Sequence, residues 1–191
     1  MRTALIGLDY IVDIMHPEGK IARCASQAAE RDVVTRFNAA KKIARERDWL
    51  TVLVKVGFES GYRDQPKHSP MFGRAHEFGA LDLTGPGTAF HPDLYVDADD
   101  IVICKPRVSA FYGTRLQQTL SASGIERVVV CGVSTVMAVQ STVRDAHDRD
   151  HRVVVAEDAC AAPTTEEHEA SLRMLSAVAT ITTTDGLHNL S

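Results

Sequence analysis

The chain has no apolar run near the ~20 residues that a membrane-spanning helix needs, so no membrane partner is expected. Its first apolar stretch is short and meets Asp9 early. It does not read as a secretory leader, and a cytoplasmic, reducing location is expected. No basic run or basic–aromatic patch occurs, and the net charge is −4; nucleic acid is not an expected partner. Cysteine is sparse: Cys24, Cys104, Cys131 and Cys160 are far apart, with no C-x-x-C and no paired histidine. They are expected to be buried free thiols that act as small hydrophobes. No repeat, low-complexity segment or linker divides the chain. Its 191 residues, 45% hydrophobic and 24% charged, suit one soluble globular domain over 1–191.

What is present alternates. Apolar runs at 3–8, 51–56, 101–104, 128–131, 152–156 and 178–183 read as buried strands. Between them lie helical patterns. Residues 26–48 carry an apolar stripe of Val33, Phe37, Ala40, Ile43 and Ala44, with Ser26 as a cap. A helix over 114–124 is capped by Thr114 and packs through Leu116, Leu120 and Ser121. A helix over 134–149 places Val139, Val143 and Ala146 on one face and pairs Asp145 with Arg149. Thr164 and Glu167 form a capping-box pattern at the head of the last helix. Strands alternating with helices predict an α/β fold, a three-layer αβα domain with a six-stranded, mostly parallel sheet and helices on both faces.

The stretch 57–100 is rich in glycine and proline and is expected to be irregular, a lid or pocket wall. Phe58, Tyr62, Phe72 and Phe78 could line an apolar pocket there or pack beneath the loop. Its histidines, His68, His76 and His91, have long, irregular spacings and no Asp-x-His or His-x-x-x-His partner. They are read as ordinary loop histidines, and no metal or cofactor is expected.

Three strand ends carry chemistry. Asp9 follows the first strand, Lys105 the third, and Gly132-Val133-Ser134-Thr135 the fourth. That last turn runs into a helix N-terminus, where unpaired backbone N–H groups and a positive dipole end face the carboxyl edge of the sheet. In open α/β sheets ligands bind at that edge.

These residues carry a resemblance. Asp9, the run Lys105-Pro-Arg-Val-Ser-Ala-Phe-Tyr-Gly-Thr, and the run Gly132-Val-Ser-Thr through Ala138 to Arg144-Asp-Ala resemble the isochorismatase-like hydrolases. That superfamily of cysteine hydrolases includes nicotinamidases and N-carbamoylsarcosine amidases. The likeness extends through Glu157-Asp-Ala-Cys160 and Glu166-Glu-His168. It implies a Rossmann-type sheet, a small-molecule substrate and a homodimer or homotetramer. It implies an Asp–Lys–Cys triad in which Asp matches Asp9, Lys matches Lys105 and Cys falls on Ala138. It implies an oxyanion and substrate site around Val133, Ser134, Phe111 and Tyr112, with a cis peptide between Val133 and Ser134. In that chemistry a thiolate beside lysine at a helix N-terminus attacks an amide carbonyl while the aspartate moves the proton.

The sequence departs from the pattern at four points. Ala138 has no nucleophile. Ile11 stands where glutamine is frequent, and Val136 where an acid or amide is frequent. The Asp-x-His metal motif of nicotinamidases is missing. Three readings follow: a cysteine-independent hydrolase in which Asp9 is the general acid; an amidase whose cysteine has been replaced by Ala138; and a catalytically silent relative that binds a small molecule or partner.

Overall fold

The computed structural model describes residues 1–191. Six strands form one sheet: β1 (Thr3–Leu8), β2 (Leu50–Val56), β3 (Ile101–Lys105), β4 (Arg127–Gly132), β5 (Arg152–Ala156) and β6 (Thr180–Thr182). The order is β3-β2-β1-β4-β5-β6, and every neighbouring pair is parallel. The helices α1 (Val12–Met15), α2 (Ala25–Glu30), α3 (Val33–Glu46), α4 (Ala75–Phe78), α5 (Leu116–Ala122), α6 (Gln140–His147) and α7 (Thr165–Leu175) complete the three-layer α/β architecture. No helix is long and apolar enough to cross a membrane.

Every residue of β1 and β4 is buried, as continuous Val, Leu and Ile runs require when both faces of a sheet are covered. The chain leaves β1 toward β2 and β3, then returns to the other side of β1 as β4. That reversal is the topological switch point, and it opens a crevice at the carboxyl ends of β1 and β4. Leu8 is in register with Gly132, so Asp9 and Val133 emerge side by side.

Residues 26–48 are two helices rather than one. The break is Asp32, in the left-handed region at φ 52°, a conformation that aspartate tolerates better than most residues. The apolar stripe survives in α3, where Val33, Phe37, Ala40, Ile43 and Ala44 are buried. Phe37 packs under Gly7, where a Cβ would lie 2.4 Å from the ring. Strand β6 pairs over three residues, not over 178–183. Helix α5 starts at Leu116, whose N–H is met by Thr114 Oγ1 at 3.1 Å. Leu116 and Leu120 are buried but Ser121 is exposed, since its hydroxyl gains nothing by leaving water. The helix expected over 134–149 begins as a turn of π-helix, Thr135–Val139, before α6.

Cys24, Cys131 and Cys160 are buried, but Cys104 is exposed. It lies on the edge strand β3, whose alternate residues Val102 and Cys104 face outward.

The stretch 57–100 is more ordered than its composition suggests. It holds α4, a short 3₁₀ turn at Pro86–Thr88, and much of a second small core with Ile11, Val56, Phe58, Phe72, Ala75, Ala80 and Leu81. The buried Asp13 carboxylate ties it to α1, accepting from the N–H of Leu81 at 2.7 Å and of Lys20 at 3.2 Å. A side chain here does the work of a backbone ladder, which no hydrophobic period reveals.

Candidate functional site

At the carboxyl edge of the sheet lies a cavity of about 390 Å³, lined mostly by apolar side chains, with Asp9, Lys105, Val133, Ser134 and Ala138 among them. Asp9 takes a left-handed backbone, φ 57°, as the chain leaves β1. Its Oδ1 accepts from Val56 N–H at 2.7 Å and its Oδ2 meets Lys105 Nζ at 2.7 Å. The ammonium also donates to Val108 O at 2.9 Å and Arg107 O at 3.3 Å, so its three protons are used. Both residues are 2% exposed. Burial pushes the Asp9 carboxyl above its ordinary range, while the Lys105 charge and the hydrogen bonds from Lys105 and Val56 pull the other way without cancelling it. The result is a carboxyl that holds a proton more readily than one in water, beside a cation that stabilises it once the proton has gone.

The turn after β4 faces this pair. Gly132 sits at φ 152°, and a Cβ there would lie 2.3 Å from Leu8 O, so only glycine lets β4 end this close to β1. Val133 N–H donates to Leu8 O at 3.0 Å, and the Val133–Ser134 peptide bond is cis. Ser134 Oγ caps the turn by accepting from Met137 N–H at 3.3 Å. Thr135 N–H is taken by Ala161 O, and Val139 N–H by Ser134 O. Ser134 N–H has no acceptor, and Ala138 N–H makes no bond outside its own turn. Ala138 presents a methyl group at 3% exposure.

Behind the turn runs a chain of polar contacts. Thr135 Oγ1 lies 2.8 Å from His168 Nδ1, His168 Nε2 3.3 Å from Glu157 Oε2, and Glu157 Oε2 2.7 Å from an Arg31 Nη. Arg31 Nε donates to Cys160 O at 2.9 Å. The His168 hydrogen bond, with Arg31, holds the Glu157 carboxyl below its ordinary range.

Phe111 and Tyr112, expected at the site, are not on the cavity. Phe111 is buried in the main core beneath Arg149 (4.9 Å) and beside the His151 ring (6.4 Å). Tyr112 is 61% exposed, with the Arg107 guanidinium 5.9 Å from its ring. After Lys105 the chain is spent on anchoring: Thr142 Oγ1 accepts from Ala110 N–H, and Ser109 Oγ donates to Asp145 Oδ2. Of this segment only Val108 joins Lys105 on the wall. Phe72 and Phe78 line the cavity. Phe58 is wholly buried, edge-on to Phe72 at 5.5 Å, and Tyr62 donates to Ala80 O. Val136 lines the cavity and Ile11 does not; Ile11 is buried in the small core. His68 is exposed, His76 packs against Tyr62, and His91 lies 5.4 Å from His16.

Several lining residues gave no signal in the sequence as site residues, among them Arg23, which is exposed, and Cys24 on the wall. Nothing in the spacing of these two marks them, because they lie in the irregular stretch before α2. Cys24 does not replace the missing nucleophile, since burial pushes its thiol up to about 11 and leaves it neutral at physiological pH.

Residues 3–186 match the model of the Isochorismatase domain. A probable inactive nicotinamidase of Arabidopsis thaliana is 38% identical over 179 residues, 90% of this chain and 86% of that protein. The crystal structure of an isochorismatase-like hydrolase from Alkaliphilus metalliredigens superposes with a TM-score of 0.85 at 25% identity, over 99% of this chain and 98% of that one. That of N-carbamoylsarcosine amidase from Thermoplasma acidophilum does so with a TM-score of 0.78 at 26% identity, over 97% and 98%.

Proposed function

Since the chain belongs to the isochorismatase domain family, a family of hydrolases, we propose that it is a cysteine-independent hydrolase of a small metabolite, with Asp9 as general acid and base and Lys105 as the cation that steadies it. The observation that carries this reading is the buried Asp9–Lys105 pair opening onto a largely apolar cavity across from the Ala138 methyl. A carboxyl raised by burial is a proton donor, the role asked of it in vinyl-ether hydrolysis. Asp9 gives its proton to the vinyl carbon and the ether carbon becomes an oxocarbenium ion. Water adds to that carbon, and the hemiketal loses the alcohol to leave a carbonyl. The proton released from water returns to Asp9. Lys105 offsets the carboxylate charge between the two transfers, and the apolar wall keeps the field of the pair strong.

A second reading is favoured by a separate observation. The turn keeps an unpaired Ser134 N–H and a π-helical start at the position of the family cysteine, what a thiolate and an oxyanion would use. On this reading the chain is an amidase scaffold silenced at Ala138, in line with a relative called probably inactive. One experiment separates the two. Small vinyl ethers and small amides are offered to the unaltered chain, to Asp9→Asn and to Ala138→Cys. Vinyl-ether turnover that disappears in Asp9→Asn and does not rise in Ala138→Cys supports the first. Amide hydrolysis found only in Ala138→Cys supports the second. No turnover by any of the three proteins refutes both and leaves a binding protein.

A further inference from the structure

We infer that the cavity selects a small acid, with Arg23 at the rim binding the ligand's carboxylate while its uncharged end reaches Asp9 and Ala138; this rests on reading the cavity as the substrate site. The charged side chains of the lining are three cations, Arg23, Arg74 and Lys105, against two carboxylates, Asp9 and Glu167. In a chain of net charge −4 the lining therefore has the opposite sign. Two of the three cations are occupied. Lys105 gives its protons to Asp9 and two carbonyl oxygens. Arg74 is bonded to Glu77 at 2.8 Å and lies over the Phe78 ring at 5.0 Å. Arg23 is exposed and no carboxylate lies within ion-pair distance of it, not even Glu167 on the facing rim. A free guanidinium is a planar, two-pronged donor matched to a carboxylate. It lines the same largely apolar cavity as the acid–base pair.

Its charge also reaches inward: Arg23 opposes the upward push of burial on the Cys24 thiol, a group on the cavity wall, and Glu167 adds to that push. The two free rim charges thus act on one space, and the lining as a whole favours the anion. A proton held by Asp9 makes the lining more positive still.

The test needs binding, not turnover. Benzoate, benzamide and benzylamine share one ring and differ in charge; their affinities for the full chain are measured by calorimetry at low salt. Benzoate is expected to bind about tenfold more tightly than benzamide. Arg23→Gln is expected to erase that difference by weakening benzoate and leaving benzamide alone, Arg23→Lys to restore part of it, and Arg74→Gln to leave it in place. Glu167→Gln is expected to tighten benzoate. The inference is overturned if benzoate binds no better than benzamide, including no binding of either, if benzylamine binds best, or if the preference survives in Arg23→Gln. Turnover lost in Asp9→Asn with benzoate binding intact would test the chemistry alone, so failure of the two readings can be told apart.

Discussion

The two edges of the sheet each carry a depression with a buried ion pair, and they differ in what surrounds it. At the amino edge a cleft of about 590 Å³ is lined by Met1, Arg2, Lys41, Arg45, Trp49, Asp97, Asp100 and others. There Lys41 is closed in by Asp100 at 2.5 Å, Asp97 at 3.1 Å and Tyr95 O at 2.7 Å. Arg47 spends its donors on the carbonyls of Leu187, His188 and Leu190. At the carboxyl edge the space is smaller, but the wall is apolar and the pair opens onto it. Volume alone points to the amino edge. The amino-edge charges answer one another and hold the loop 95–100 and the C-terminus in place. The carboxyl-edge pair carries a carboxyl whose proton affinity is raised and an unfilled space beside it, the arrangement that suits chemistry rather than stability.

The sharpest way to break this contrast is to cut each pair. Asp9→Asn is expected to lower vinyl-ether turnover about 10²–10⁴-fold while the protein stays folded. Lys41→Met strands Asp100 and is expected to cost about 3–5 kcal/mol of stability, read by denaturant unfolding, with the activity per folded molecule unchanged. Equal effects of both changes on turnover would dissolve the distinction. Next in size is Gly132→Ala, which presses a methyl onto Leu8 O at 2.3 Å. A loss of about 2–4 kcal/mol is expected, with the Asp9 site disordered in the same variant. A smaller effect comes from pH. The folded Asp9 carboxyl titrates above its ordinary value of 3.8, so over the window above 3.8 the native state holds a proton that the unfolded chain has released. Stability therefore falls as pH rises through that window, and turnover by the acid form falls with it; Asp9→Asn is expected to flatten both curves. The smallest effect is at Glu157, whose carboxyl is held below 4.5. Its contribution is present above that value and is lost as pH falls through the lower folded value. Glu157→Gln is expected to remove that acid-side slope while leaving the Asp9 slope in place.

The backbone of the site was readable from residues. Val, Leu and Ile runs marked the central strands, where both faces of the sheet are buried, while the edge strands β3 and β6 are partly exposed. Asp9, Lys105 and the Gly132–Ser134 turn stood at strand ends, where a parallel sheet collects them. Phe111 and Tyr112 were misplaced because an aromatic pair after a strand can turn either to the core or to water, and their sequence neighbours do not say which. Cys104 was misjudged because strand order, not strand composition, makes β3 an edge. The break at Asp32 was hidden by a helical stripe that continues across it.

The amino-acid sequence by itself thus determined the alternation of strands and helices, the carboxylate, the ammonium and the glycine turn, and the absence of a thiol at 138. These follow from local periodicity and from one residue at a time. Tertiary structure decided which of the charged residues share one space. The Asp9–Lys105 contact spans β1 and β3 with β2 between them, and Arg23, in the irregular stretch before α2, lines the same cavity. Such contacts join residues far apart in the chain, and burial, which sets the proton affinity of Asp9, exists only once they have formed.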